Sequence, residues 1–507
     1  MKKRLLWNMS SSLLMEVVSI VCAFVLPRLI LVSFGSEYNG VVSSVSQFLS
    51  MVTLLRGGVG GVTRAALYKP LQEHDDYKIS GILKATENFM RRVAGIFVVF
   101  LVIFAALYPL LVSEEFGWLY TFTLVLILGI STVSQYYFGI TYQMLLQADQ
   151  RRYVYSLLQV AATLLNTVLA VLMINAGMEF RMVKLVSGLV FGGIPIFLYF
   201  YVHKKYTILK NVPPDNSALK QRWDAFAHQV ASFVHQNTDV VLLTLFSDLF
   251  QVSIYTVYTM ITNGVNKFVH ICSSGTEAAI GSLLAKNAHG KLQTSVQMYE
   301  WMVHVVSTVC FVCTAMLIVP FVMVYTAGVT DADYFQPILG YLLCISQFFG
   351  AIRMPYQNLV DASGQYRQTR NGAILEAAVN VLASIPMIIL WGSAGAVAGT
   401  VLAIVFRTVQ YAVYASKNIL ERPIGVFLKR MLVSAGLIAV QMGVYILFDF
   451  DKRLLGSSSY YQWVVSAVYV FAAVALSTVL INLAVYPKLT VQVFNLAKST
   501  LLKRRNK

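Results

Sequence analysis

Residues 93–112 read VAGIFVVFLVIFAALYPLLV, twenty positions without a charged side chain. A helix of about 20 residues rises about 30 Å, the thickness of a bilayer's hydrocarbon core. Four more stretches lack Asp, Glu, Lys and Arg: 116–148, 154–178, 377–406 and 454–487. Over all 507 residues, 57% are hydrophobic and 12% charged, with a mean hydropathy of +0.67. Soluble proteins carry about 25% charged residues. This balance excludes a soluble globular enzyme, a disordered chain and a fibrous one. It predicts an all-α polytopic membrane protein.

Fourteen transmembrane helices are expected. The first six cover about 12–34, 41–62, 93–113, 117–146, 154–175 and 182–202. The next six cover about 229–247, 250–271, 301–325, 334–359, 371–391 and 394–416, and the last two 431–448 and 460–486. The first follows Met1-Lys2-Lys3-Arg4 and is too long for a signal-peptide core, so it reads as a retained span with a cytoplasmic N-terminus. Cytoplasmic loops are enriched in Lys and Arg. With this orientation the inner segments hold 30 of the 39 cations, five lie within spans, and four lie on the outer side: Arg181, Lys184, Lys452 and Arg453. The outer loops carry acids instead, among them Glu37, Glu114, Glu115, Glu179, Asp248, Asp331 and Asp333. Dropping one helix would invert every later loop, so an even count with both termini cytoplasmic is expected. The net charge of +16 thus reflects membrane orientation, and no nucleic-acid partner is implied.

No loop has room for a catalytic domain, so the chain is not expected to be an enzyme. Pro213-Pro214, within the segment Asn211 to Ser217, mark a linker. The expected organisation is an N-terminal lobe at 1–202, a cytoplasmic linker at 203–228 and a C-terminal lobe at 229–416. Two further helices follow at 431–486, then a basic cytoplasmic tail at 487–507. Six helices on each side of the linker suggest two pseudo-symmetric lobes. A cation near the inner end of each lobe's second helix, Arg56 and Lys267, agrees with that symmetry.

The five cations within spans are Arg28, Arg56, Lys267, Arg353 and Arg407. At mid-membrane each costs about 2.5–3.5 kcal/mol on insertion scales, or on the order of 12–17 kcal/mol together. Snorkelling to the interface is one way out for Lys267, Arg56 and Arg353, which lie nearer the inner end. It fits Arg28, after Pro27, and mid-span Arg407 less well. The other way out is a watery cavity. Acids in or beside spans are few (Glu16, Asp239, Glu277 and Glu376), which leaves a positive interior suited to an anionic substrate. Arginine's planar fork matches phosphate oxygens.

Arg56 precedes Gly57-Gly58-Val59-Gly60-Gly61, which weakens a helix or lets neighbours pack closely. Glu376 and Asn380 lie one turn apart on one helix face. With Asp239 and Thr400 they form a candidate site for Na⁺ or H⁺. The competing reading pairs Glu376 with Arg353 or Arg407 to neutralise charge. Five tyrosines, Tyr136, Tyr137, Tyr142, Tyr255 and Tyr258, are candidates for stacking on sugars, with packing as the alternative. Cys310 and Cys313 form a C-x-x-C without a second pair, and the histidines show no ligand spacing, so neither metal nor any other bound cofactor is expected.

The chain resembles the polysaccharide transporter and O-antigen flippase branch of the multidrug/oligosaccharidyl-lipid/polysaccharide (MOP) superfamily. The likeness lies in Phe34-Gly35-Ser36-Glu37-Tyr38-Asn39-Gly40-Val41 and the Gly-rich end of the second helix. It continues through Gln147 to Tyr153, Thr238 to Leu243, Ser253-Ile254-Tyr255, and the stretch from Leu375-Glu376-Ala377-Ala378-Val379-Asn380 to Gly395-Ala396-Val397-Ala398-Gly399-Thr400. The resemblance implies a MATE-like fold and a flippase for undecaprenyl-pyrophosphate-linked oligosaccharide in the bacterial cytoplasmic membrane. Its context would be O-antigen, capsule or exopolysaccharide biosynthesis, in contact with membrane lipids and beside a polysaccharide polymerase and glycosyltransferases. It further implies cavity arginines at Arg28 and Arg56, and Na⁺ or H⁺ coupling where Asp239, Glu376 and Asn380 stand. The alternative is a MATE-type exporter of organic cations, which would favour an acidic cavity.

Overall fold

The computed structural model describes residues 2–51, 59–112, 116–209, 211–216, 238–285, 289–448 and 459–493. Every regular element among them is helical. Ten of the helices are long and apolar enough to cross a membrane. One of them, Gln368–Asn418, contains two expected spans, which meet at Gly392. The second, seventh and eighth expected spans are not among the ten. The second is the helix α2 (Ser36–Ser50) followed by α3 (Val59–Glu73), and residues 52–58, with Arg56, lie outside the described residues. Gly61 faces open space, so close packing does not account for a glycine there.

The described residues form two compact units, Met1–Ser253 and Ile254–Lys507. In the first, α1 (Lys2–Phe34) packs along Arg152–Asn175, which packs along Phe180–Lys205, and that helix in turn lies against Trp118–Ser134. The core between α2, Asp76–Leu107 and Trp118–Ser134 is aromatic-rich, with Phe97 and Tyr108 buried beside Val45 and Leu124. The described part of the seventh span, 238–246, belongs to this unit. Two hydrogen bonds explain why: Thr244 Oγ1 donates to Ser44 Oγ at 2.8 Å, and Asn39 Nδ2 to Ser253 Oγ at 2.9 Å. A Cβ on Gly40 would stand 2.1 Å from the Leu249 carbonyl oxygen, so α2 and the start of Leu249–Ala285 touch backbone to backbone. The chain therefore changes unit at Ser253, whereas the Pro-Pro segment suggests a boundary at 203–228.

In the second unit, Pro337–Ala362 lies between His289–Tyr325 and the long helical stretch Tyr366–Asn418. That stretch is a hairpin. At Gly392 φ is 55° and ψ −131°, a conformation a side chain would strain, and the chain reverses there. Gly395 and Gly399 bring the two arms close enough that a Cβ on either would meet the other arm's backbone, at Met387 and Ser384. Gly425–Leu447 and Tyr460–Val485 pack on His289–Tyr325 around Val312, Met316, Leu317, Tyr445 and Val474. Cys313 is buried in that cluster, and Cys310 is packed against a neighbouring one, both as free thiols. The C-x-x-C is thus ordinary helix packing.

Gly399→Val places its Cβ 2.7 Å from Ser384 backbone atoms, and overpacking of this kind costs about 1–3 kcal/mol. Thermal unfolding of the purified protein in detergent should show a clear loss for Gly399→Val. Gly61→Ala, where a Cβ meets nothing within 4 Å, should show none.

Candidate functional site

The arms of the hairpin meet in register. Gly399 faces Ser384, Thr400 bonds to Asn380, Arg407 reaches Glu376, and Gln410 covers Gly372. Ser384, Asn380, Glu376 and Gly372 follow one another at intervals of four residues, so they lie on one face of their arm, the face turned to the other arm. The result is a column of small and polar groups with a charge cluster at one end.

The cluster has one carboxylate and two guanidinium groups. Arg353, from the neighbouring helix Pro337–Ala362, donates through Nη1 to Glu376 Oε1 at 2.7 Å. Arg407 Nε stands 3.4 Å from Glu376 Oε2. The side chains of Arg353, Glu376 and Arg407 are 15%, 9% and 4% exposed. Arg407 spends its remaining donors on the protein: Nη1 on the Thr369 carbonyl at 2.9 Å and on Gln410 Oε1, and Nη2 on the Tyr411 hydroxyl at 2.9 Å. Its guanidinium also lies 4.1 Å from the centroid of the Tyr411 ring. Gly372 makes this crossing possible, because a Cβ there would fall 2.2 Å from Arg407 Nη1. Two guanidinium groups thus gather around one carboxylate.

One turn beyond Glu376, Asn380 Nδ2 donates to Thr400 Oγ1 at 2.8 Å. Asn380 is buried, and its Oδ1 has no hydrogen-bond partner. A carbonyl oxygen and a hydroxyl are suitable ligands for a hard monovalent cation. Both Glu376 oxygens, however, already face guanidinium groups, whose charge repels such an ion.

No protein-family model and no curated protein sequence matches the chain. Its fold is similar to that of solved transporters. A structure described as "Lipid II flippase MurJ, inward closed conformation" aligns with a TM-score of 0.68 at 13% identity, over 95% of this chain and 99% of that one. An inward-facing multidrug resistance MATE family transporter of the MOP superfamily aligns at 0.56 and 13% identity, over 81% and 98%. A MOP superfamily transporter from Pyrococcus furiosus, whose description reports a binding pocket of reverse polarity, aligns at 0.51 and 14%, over 82% and 96%. The chain shares the fold of these solved transporters. It is a multi-pass, all-helical membrane protein, as the apolar runs predict.

Within the second unit the expected site residues form two groups. Arg353, Glu376 and Arg407 come together, and so do Asn380 and Thr400. Asp239 lies half-buried in the first unit, on 238–246, whereas Glu376 belongs to the second. Arg28 is half-buried in α1, and Lys267 is exposed on Leu249–Ala285. Arg56 lies outside the described residues. Arg407, expected at the substrate site, has its donors on Thr369, Gln410 and Tyr411. For Glu376 the charge-neutralising reading is the one that matches the geometry. Among the tyrosines, Tyr142 donates to Glu87, and Tyr258 donates to the Tyr334 carbonyl at 2.8 Å, so both are structural. Tyr136 is buried in the core of the first unit; Tyr137 is exposed, with the Arg91 guanidinium 5.4 Å from its ring centroid, and Tyr255 is half-buried. Histidine spacing is uninformative here as well: His304 pairs with Ser434 at 3.0 Å, and no His/Cys/Asp/Glu group suited to a metal occurs among the described residues.

A second buried cluster of the same composition was not anticipated. Glu300 is met by Arg422 and, at 2.9 Å, by Arg430. The signal available in the sequence was an acid at the very start of the ninth span, Glu300-Trp301, facing a loop rich in arginine.

Removing the carboxylate from the first cluster leaves two buried guanidinium groups unpaired. Glu376→Gln should cost about 3–5 kcal/mol in equilibrium unfolding. Arg353→Gln should cost less, because Arg407 still neutralises Glu376. Comparing denaturant midpoints of the two variants in detergent tests that order.

Proposed function

We propose that the chain is a flippase for undecaprenyl-pyrophosphate-linked oligosaccharide, moving it from the inner to the outer leaflet of a bacterial cytoplasmic membrane. The observation that supports this reading is the buried Arg353–Glu376–Arg407 cluster, where two guanidinium groups gather around one carboxylate. An interior with surplus guanidinium charge attracts a diphosphate and repels an organic cation. The described neighbour that spans 95% of the chain is itself a lipid II flippase, which supports a lipid-linked substrate.

In this reading Arg353, the less buried of the two arginines, contacts the pyrophosphate together with Arg28, Arg56 and Lys267. Arg407 acts as a positioning residue that holds Glu376 against Arg353. The headgroup passes through an alternately open interior while the prenyl chain stays in lipid. A substrate that bound both states equally would not bias the cycle. A coupling ion, Na⁺ or H⁺, therefore supplies direction. Asn380 Oδ1 and Thr400 are the oxygens offered in the second unit, and Asp239 in the first. Both termini are cytoplasmic, following the distribution of Lys and Arg. The setting is surface polysaccharide biosynthesis, with glycosyltransferases before this step and a polymerase after it.

The test is flipping of a fluorescent undecaprenyl-pyrophosphate oligosaccharide by the purified protein in liposomes, with imposed Na⁺ or pH gradients. Wild type should flip it in a gradient-dependent manner. Arg353→Ala should slow it about tenfold or more, the loss expected for one charge-assisted hydrogen bond to phosphate. Transport of a cationic dye with no flipping would establish the MATE-type exporter instead.

A further inference from the structure

The Glu300 cluster lies in the second unit. Glu300 is in His289–Tyr325, Arg422 is in the turn after Asn418, and Arg430 is in the second turn of Gly425–Leu447. The side chains of Glu300, Arg430 and Arg422 are 0%, 5% and 7% exposed. The turn is held by backbone bonds from Leu420 N to the Ala415 carbonyl at 2.9 Å and from Arg422 N to the Ser416 carbonyl at 3.0 Å. Gln293 Nε2 adds a bond to the Leu420 carbonyl at 2.8 Å. Glu421 has φ 50°, a left-handed conformation uncommon for a side-chain-bearing residue. This turn directs Arg422 inward onto Glu300.

The charge does not balance. One carboxylate serves two buried guanidinium groups, and no other ion pair to either arginine occurs among the described residues. An uncompensated buried charge is strongly destabilising. Three further polar atoms are buried without a hydrogen-bond partner: Nε and Nη1 of Arg422, and Oγ of Ser416. Arg422 and Ser416 lie at the wall of an open, mostly apolar groove of about 350 Å³, together with Val413, Lys417, Glu421 and Ile424. Val413, Lys417 and Glu421 are exposed, so the groove opens at the protein surface. A phosphate oxyanion supplies what is missing, namely a negative charge and acceptors for N–H and O–H donors.

We propose that this groove binds the phosphate group of a phosphate ester, with Arg422 and Ser416 at its wall and Lys417 at its mouth. The source favoured by the surroundings is a phospholipid of the inner leaflet. Val413, Val409 and Leu402 are exposed on the same arm of the hairpin, spaced so that they share one helix face leading away from the groove. An acyl chain lying along that face places its headgroup at Arg422. The segment 417–430 also carries Lys417, Arg422, Lys429 and Arg430, the signature of a cytoplasmic loop. The site is separate from Arg353, Glu376 and Arg407, and the inference stands whether or not the flippase reading is correct.

Native mass spectrometry of the full-length protein, delipidated in detergent and titrated with phosphatidylglycerol, tests the site. Diacylglycerol serves as the phosphate-free lipid and inorganic phosphate as the soluble competitor. Wild type should retain phosphatidylglycerol and not diacylglycerol. Ser416→Ala and Lys417→Gln, which leave the Glu300 pairs intact, should each weaken retention several-fold. Arg422→Gln should weaken it about tenfold or more, as one charge-assisted contact is worth. Displacement of the lipid by millimolar inorganic phosphate would keep the site and assign it to a soluble phosphate. Equal retention of both lipids, or retention unchanged in Ser416→Ala and Lys417→Gln, would overturn the proposal.

Discussion

An ionised side chain in the hydrocarbon layer must be paired or hydrated, and the bond between Glu376 and its two arginines is where this chain meets that demand. The cluster ties three helical segments together: Arg353 from one helix, Glu376 from one arm of a hairpin and Arg407 from the other. Its parts differ in how firmly they are fixed. Arg407 is anchored by Thr369, Gln410 and Tyr411, whereas Arg353 is the more exposed partner. One cation is thus built into the scaffold and the other stands at its edge.

Glycine placement is what permits this pairing. Gly395 and Gly399 let the arms touch, Gly372 clears a path for Arg407, and Gly392 reverses the chain. With side chains at these positions the arms would separate, and Arg407 would be a single charge facing lipid. The polar column from Ser384 to Gln410 therefore depends on the close approach of two otherwise apolar helices. The same economy recurs at Glu300, where a tight turn and not a hairpin brings the arginines inward.

Helix content and span positions were legible in the sequence because hydropathy over twenty residues is a bulk property, indifferent to what each span touches. The hairpin from 371 to 416 could be seen as two spans meeting near Gly392. Partnership was harder to read. The pairing of Arg407 with Glu376 is one of two readings the sequence offers, but its partners Thr369, Gln410 and Tyr411 are uncharged, and nothing in composition marks them as ligands of a guanidinium. Asp239 was grouped with Glu376 because linker position, and not the Thr244–Ser44 bond, set the boundary between halves. Arg422 and Arg430 registered only as inner-loop charges. A count of cations per loop reports the side of the membrane and is silent on depth, so a fully buried Glu300 between them left no trace.

The reversal at Gly392 fixes more than a direction. Sixteen residues separate Glu376 from Gly392, and fifteen separate Gly392 from Arg407, so the two arms are nearly equal in length. Adding one residue to either arm would turn every position beyond it by about 100° around the helix axis. The arginine would then swing away from its carboxylate, and the loss could not be absorbed locally. Within this stretch a replacement keeps the pairing in register, whereas a change in length breaks it.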